Sequence, residues 1–75
     1  MIIRTQDRTG TFVFENCEGI TPGGTCGTRI GMYILNRNGR YLLGTYCSME
    51  RAAQVQEQIA GSFTRNEKIY QMPAE

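Results

Sequence analysis

The sequence predicts an α+β fold, in which a small antiparallel sheet carries one helix on one face, in the order β-β-β-β-α-β. Three observations predict it. Two runs rich in β-forming residues, within Thr28–Cys47, are joined by an Asn38-Gly39 pair. Ser48 then precedes a segment whose apolar residues recur at helical spacing, and short apolar runs lie near both ends of the chain. A chain of 75 residues has the length of one domain, so residues 1–75 are assigned to a single small domain.

The first two strands are predicted at the start of the chain. Met1–Thr5 reads as a short strand, and Gln6–Gly10 reads as a turn because Asp7 and Gly10 are typical turn residues. Thr11–Phe14 resumes a strand. We therefore expect these two strands to form a hairpin.

The next segment, Glu18–Gly27, holds four of the nine glycines and one of the two prolines. This composition predicts a flexible loop over residues 19–27. Backbone N–H groups of its glycines, with nearby hydroxyls and one guanidinium, would suit an anion. The predicted ligand-binding residues are Thr21, Gly23, Gly24, Thr25, Gly27, Thr28 and Arg29. The alternative is a connector that binds nothing, and ATP hydrolysis is excluded because no Lys precedes Thr25 and no helix follows.

The central hairpin is predicted to turn at Asn38-Gly39, because both central residues of a type I′ turn need positive φ. Arg37 then faces Arg40, and side chains alternate between two faces. The predicted core face carries Ile30, Met32, Ile34, Tyr41, Leu43, Thr45 and Cys47. The opposite face carries Gly31, Tyr33, Leu35, Leu42, Gly44 and Tyr46.

This opposite face twice sets a tyrosine across from a glycine, Tyr33 with Gly44 and Tyr46 with Gly31. Two interpretations remain open. The rings cover bare backbone, which stabilises glycine in strands, or the face is a docking surface, since contiguous exposed apolar patches mark interfaces. The predicted interface residues are Tyr33, Leu35, Leu42 and Tyr46.

The helix is predicted to begin after Ser48, a favourable N-cap, with Glu50 in the first turn. Its apolar stripe is expected to pack on the core face of the sheet. The stripe consists of Met49, Ala52, Val55, Ile59 and Phe63. The helix should end at Arg65-Asn66, and Glu67–Met72 reads as a last short strand before Pro73.

Composition excludes several classes of function. A net charge of +1 is not that of an electrostatic nucleic-acid binder, and basic residues alternate with an aromatic only at Arg37, Arg40 and Tyr41. No apolar run has membrane length and no signal peptide is recognisable, which predicts a cytoplasmic protein without membrane contact.

Reaction chemistry is also sparse. The chain has no His and lacks C-x-x-C spacing, so we predict no catalytic residue, no metal site and no cofactor. Three cysteines without a signal peptide indicate free thiols.

Several motifs resemble a family of short, largely uncharacterised proteins of phages, prophages and Gram-positive bacterial genomes. They are the opening Met-Ile-Ile-Arg-Thr-Gln-Asp, the Leu-Leu-Gly-Thr-Tyr run before the capped helix, and the closing Ile-Tyr-Gln-Met-Pro. The Gly-rich segment Glu18–Gly27 departs from the more polar segment of that family. The resemblance implies a small phage-type binding protein, located in the host cell cytoplasm if phage-encoded.

Two functional hypotheses follow. The first is a non-catalytic binding protein that forms a homo-oligomer and binds a nucleotide-like signal, counteracting host defence; in an alternative form its target is a host effector protein. The second is a thiol-based enzyme acting through Cys26, with Arg29 as the neighbouring positive charge that a reactive thiolate needs.

Overall fold

The computed structural model describes the backbone of all 75 residues and every side chain except that of Cys26. The α+β class is confirmed, but six strands form two three-stranded sheets, where the sequence predicts five strands in one sheet. The elements are β1 (Ile2–Arg4), β2 (Thr11–Val13), a 3₁₀ turn (Phe14–Asn16), β3 (Gly19–Cys26), β4 (Arg29–Asn36), β5 (Gly39–Tyr46), α1 (Met49–Thr64) and β6 (Ile69–Gln71).

The first sheet has the strand order β2-β1-β6. The predicted first hairpin is confirmed, since β1 pairs antiparallel with β2. The last strand pairs parallel with β1, so the two ends of the chain lie side by side. The backbone N–H of Ile2 donates to the Lys68 carbonyl at 2.8 Å, and that of Met72 donates to the Arg4 carbonyl at 3.0 Å.

The second sheet is an antiparallel meander of β3, β4 and β5. The predicted flexible loop over residues 19–27 is wrong, because β3 pairs with β4 along most of this segment. Its register shifts between Pro22 and Thr25, which places Gly23 and Gly24 in a bulge. Gly24 and Gly27 have φ of 61° and 68°. The glycines therefore give the backbone the left-handed conformations that this bulge and the following turn require.

The β4–β5 turn lies one residue earlier than predicted. Asn36 pairs with Gly39, so Arg37 and Asn38 are the turn residues. The Asn36 side chain accepts a hydrogen bond from the Asn38 N–H at 3.0 Å, a local bond that stabilises a turn at this position. This shift changes the partner of each residue on the facing strand by two positions. Because side chains alternate between faces with a period of two, Tyr33, Leu35 and Leu42 stay on the predicted face.

A bulge in β5 reverses the faces beyond Leu43. Tyr33 pairs with Leu42 but Met32 pairs with Gly44, so Leu43 is an extra residue. Tyr46 consequently pairs with Ile30 and is fully buried. The prediction that Tyr46 belongs to an exposed interface is therefore wrong. Thr45 and Cys47 are both predicted for the core face. Thr45 instead lies on the opposite face, and Cys47 is exposed.

Helix α1 packs on the inner face of the β3–β4–β5 sheet. The Ser48 hydroxyl accepts from the Arg51 N–H at 3.1 Å, which confirms the predicted N-cap. The predicted stripe is buried only in its middle, since Met49 and Phe63 are 51% and 44% exposed. The core residues are Ile3, Met32, Ile34, Leu43, Tyr46, Ala52, Val55, Ile59 and Met72.

Gln6 joins the two sheets and the C-terminal tail. Its backbone N–H donates to the Leu43 carbonyl at 2.8 Å, and its side-chain oxygen accepts from the Thr45 N–H at 2.9 Å. Its side-chain nitrogen donates to the carbonyls of Thr45, Pro73 and Ala74 at 2.9 to 3.1 Å. One polar side chain thus fixes β5, the end of β1 and the tail relative to each other.

Candidate functional site

The most accessible surface of the second sheet is the side opposite α1. We call it the outer face. It is formed by Thr21, Arg29, Tyr33, Leu35, Arg40, Leu42 and Thr45. Leu42, on the edge strand β5, is 45% exposed. The three strands contain no Asp or Glu, so the charges that they place on this face are those of Arg29 and Arg40. Asp7, from the first hairpin, lines a cavity together with Leu42 and Thr45.

Tyr33 and Arg40 form a stacked pair on the outer face. The Arg40 guanidinium carbon lies 4.6 Å from the centre of the Tyr33 ring, a cation–π distance. The same ring lies against Gly31, where an added Cβ would be only 2.9 Å from a ring carbon. Tyr33 therefore covers a glycine, as one interpretation predicted, but a glycine of its own strand rather than Gly44.

Arg29 lies along the outer face. Its Nε donates to the Thr45 hydroxyl and one Nη donates to the Thr45 carbonyl, both at 2.9 Å. These bonds fix the position of the guanidinium and leave the rest of its five donors without a partner among the described residues. A positioned Arg with unused donors suits the bidentate recognition of phosphate or carboxylate.

The predicted ligand-binding residues are only partly brought together. Gly27 and Thr28 form the β3–β4 turn beside Arg29, and Thr25 pairs with Ile30 close by. Gly23 and Gly24 lie in the β3 bulge, whereas the Arg29 side chain extends to β5 on the other side of β4. The structure therefore does not unite the glycine bulge and Arg29 in one cradle. Thr21 pairs with Tyr33 and belongs to the outer face.

A concave site that the sequence does not predict lies on the other side of the sheet. An open cavity of about 420 Å³ lies between β3 and the second half of α1. We call it the apolar groove, defined by Phe14, Cys17, Ile20, Ile59, Ala60 and Phe63. Glu15, Glu18 and Gln56 also line it. Its residues come from three elements, and their only signal in the sequence is an apolar helical stripe that continues to Phe63.

Thiol chemistry has little support at the described cysteines. Cys17 and Cys47 are free thiols. Partial burial raises the pKa of the Cys17 thiol, which lowers its thiolate fraction and so its reactivity. The predicted alternative of an enzyme acting through Cys26 falls on a side chain outside the described residues.

Among the described residues, no group of three or more His, Cys, Asp or Glu is placed to hold a metal ion. No helix in this part of the chain combines the length and apolar character that crossing a membrane requires.

Comparison with known proteins gave no match. No family model matches the chain, and neither a curated protein nor a solved structure is similar to it. The resemblance to short phage and prophage proteins therefore stays a prediction.

Proposed function

We propose that this chain is a non-catalytic binding protein and that the outer face binds an anionic, nucleotide-like ligand. The observation that supports this most is that Arg29 and Arg40 lie on the same face of the sheet as Tyr33. Arg40 is stacked on the ring, and Arg29 is held by Thr45 with donors to spare. The strands that carry them contain no carboxylate of their own.

Nucleotide chemistry fits both arginines. A guanidinium plane stacks on nucleobases and its N–H groups bind phosphate oxygens. Arg40 offers the stacking plane beside Tyr33, and Arg29 offers donors toward the opposite end of the face, where β4 follows the β3–β4 turn. Thr28 is exposed at the border and its hydroxyl can donate to a ribose, whereas the Thr21 hydroxyl already donates to the Pro22 carbonyl at 3.0 Å and is left to accept. The sequence predicts a nucleotide-like ligand at the glycine segment. We propose the outer face as its binding site instead.

A thermal-shift panel of mononucleotides and cyclic nucleotides, with inorganic phosphate as the reference anion, tests this proposal. A ligand present at 100 times its Kd adds about 2.7 kcal/mol of stability. For a domain of this size that corresponds to a rise in Tm of roughly 10 °C or more. We expect Arg29→Gln and Arg40→Gln each to reduce the rise.

Lys68→Gln is the matched control. It removes one positive charge from an exposed site beside β6, away from the outer face. An unchanged response in Lys68→Gln together with reduced responses in the two arginine variants supports the proposal. A panel without any shift, or equal losses in all three variants, contradicts it.

A second candidate for the outer face is a protein partner, including another copy of this chain. It is favoured by the exposure of Leu42, 45%, on a strand face that no helix covers. An interface of standard size buries about 800 Å² per partner, about one sixth of the 4775 Å² surface of this protomer. Tyr33, Leu35 and Leu42 would form its apolar centre, and Tyr46 is excluded because it is buried.

Leu42→Glu tests self-association. If the outer face joins protomers, light scattering at several concentrations should show an oligomer that dissociates in this variant, because a charge in an apolar interface loses hydration. Val13→Glu is the matched control, since Val13 is equally exposed, 45%, on the other sheet. A protomer that is monomeric at every concentration, or equal effects of both variants, would rule out self-association through this face.

A further inference from the structure

We propose that the apolar groove is a second docking site, distinct from the outer face, and that its occupant is a short amphipathic helix with basic residues beside its apolar stripe. The groove lies on the α1 side of the second sheet, so it can be occupied while the outer face holds another ligand.

The lining of the groove is suited to apolar side chains. Ile59 forms a buried floor, only 2% exposed, with Ile20 beside it. The rings of Phe14 and Phe63 pack at a centroid distance of 4.9 Å, yet Phe63 remains 44% exposed. The volume of about 420 Å³ falls within the range of roughly 300–1,000 Å³ that binding pockets occupy.

The charged residues that line the groove favour an occupant with basic side chains. Glu15 and Glu18 line it, and no Lys or Arg does. The terminal ammonium of Met1 donates to the Glu15 carboxylate at 2.6 and 2.7 Å and holds its pKa below the usual range. Glu18 has no such partner among the described residues, so a negative charge remains at the rim. The groove therefore favours basic segments and repels the anions that the outer face attracts.

The backbone edge of β3 favours a helix over an added strand as the occupant of the groove. The Gln56 side chain donates to the outward-facing Ile20 carbonyl at 2.8 Å. Two residues on, Pro22 lies on the same edge and has no N–H to offer. An added strand would need these backbone groups, so strand addition is blocked. A helix binds through side chains alone and satisfies its own backbone, which fits an apolar groove beside a closed edge.

A pair of 18-residue peptides tests the proposal, one of Leu and Lys with apolar residues at helical spacing and one with Glu replacing every Lys. The readout is alkylation of Cys17 by iodoacetamide at mildly alkaline pH, followed by peptide mass mapping. Cys47 is exposed, does not line the groove and serves as the internal reference. At ten times the Kd, occupancy near 90% should slow Cys17 alkylation about tenfold with the Leu/Lys peptide. The Leu/Glu peptide should leave it unchanged.

Two variants of α1 locate the binding. Ala60→Arg places a charged side chain in the groove, whereas Ala53→Arg makes the same change at an exposed helix position outside it. Protection of Cys17 should be lost in the first variant and kept in the second. Because both positions are exposed in a helix, Arg is well tolerated, and equal Tm values verify folding.

Glu18→Gln tests the charge separately and does not depend on folding of the helix variants. It should weaken binding of the Leu/Lys peptide about two- to fivefold and reduce its salt dependence. Absence of protection in the wild-type chain overturns the proposal. Equal protection by both peptides, or protection that persists in a folded Ala60→Arg variant, also overturns it.

Discussion

Replacing Gly44 by alanine is expected to lower the free energy of unfolding by about 3 kcal/mol. A Cβ at this position would lie 2.8 Å from Gln6 Cβ and 3.1 Å from its amide carbon and oxygen. The nearest atom is next to the backbone and cannot move aside as the end of a long side chain does. Overpacking of this kind costs about 1–3 kcal/mol, and displacing Gln6 also loses its hydrogen bonds to Thr45 and the tail.

Denaturant unfolding measures this effect, with Gly19→Ala as the control. Gly19 is also in a strand, has no positive φ, and has open space where its Cβ would be. We expect Gly19→Ala to change stability by less than about 1 kcal/mol. In the background of Gln6→Gly, Gly44→Ala should cost little, because the obstructing Cβ is gone. Equal losses from the two glycine substitutions would show that close approach of Gln6 is not what requires Gly44.

Truncating Tyr46 is expected to have a still larger effect, with a loss of about 3–5 kcal/mol for Tyr46→Ala. The side chain is fully buried in the core, and its hydroxyl donates to the Pro73 carbonyl at 2.9 Å. Tyr46→Phe keeps the ring and removes the hydrogen bond, so it should lose only about 1 kcal/mol. The ratio of the two losses, measured by denaturant unfolding, distinguishes a core residue from a surface one. Losses below about 1 kcal/mol for both would contradict burial.

The same hydroxyl makes stability sensitive to alkaline pH. Burial raises the pKa of Tyr46 from 10.0 to about 12. Between these values the unfolded chain releases the proton before the folded chain does, so stability is complete below about pH 10 and falls as pH rises toward 12. Tyr46→Phe should reduce this fall in alkaline unfolding curves. Burial also raises the pKa of Tyr70, so Tyr70→Phe should remove a further part of the stability loss at alkaline pH.

The sequence predicts well those elements that short-range chemistry determines. The hydroxyl of Ser48 satisfies a backbone N–H at the start of α1, and this depends only on neighbouring residues. Strand alternation correctly places Met32 and Ile34 in the core. The outer face retains Tyr33, Leu35 and Leu42 for the same reason.

The errors concern features that distant residues determine. The glycines of residues 19–27 are typical of a loop, but pairing with β4 holds most of this segment as a strand. The bulge at Leu43 depends on Gln6, which binds the Leu43 carbonyl and packs against Gly44 from far away in the chain. The apolar groove likewise needs the 3₁₀ turn, β3 and α1 to be assembled before it exists.

The parallel pairing of β1 with β6 has a consequence for how the chain reaches its native state. One edge of β1 stays unpaired until β6 is available, and β6 follows the helix near the other end of the chain. Closing so large a loop loses entropy before any contact compensates for it, so folding should be slower than in helical proteins of equal size. During translation, the nascent chain cannot complete its first sheet until residue 71 has left the ribosome, and until then the unpaired edge of β1 is available to other strands.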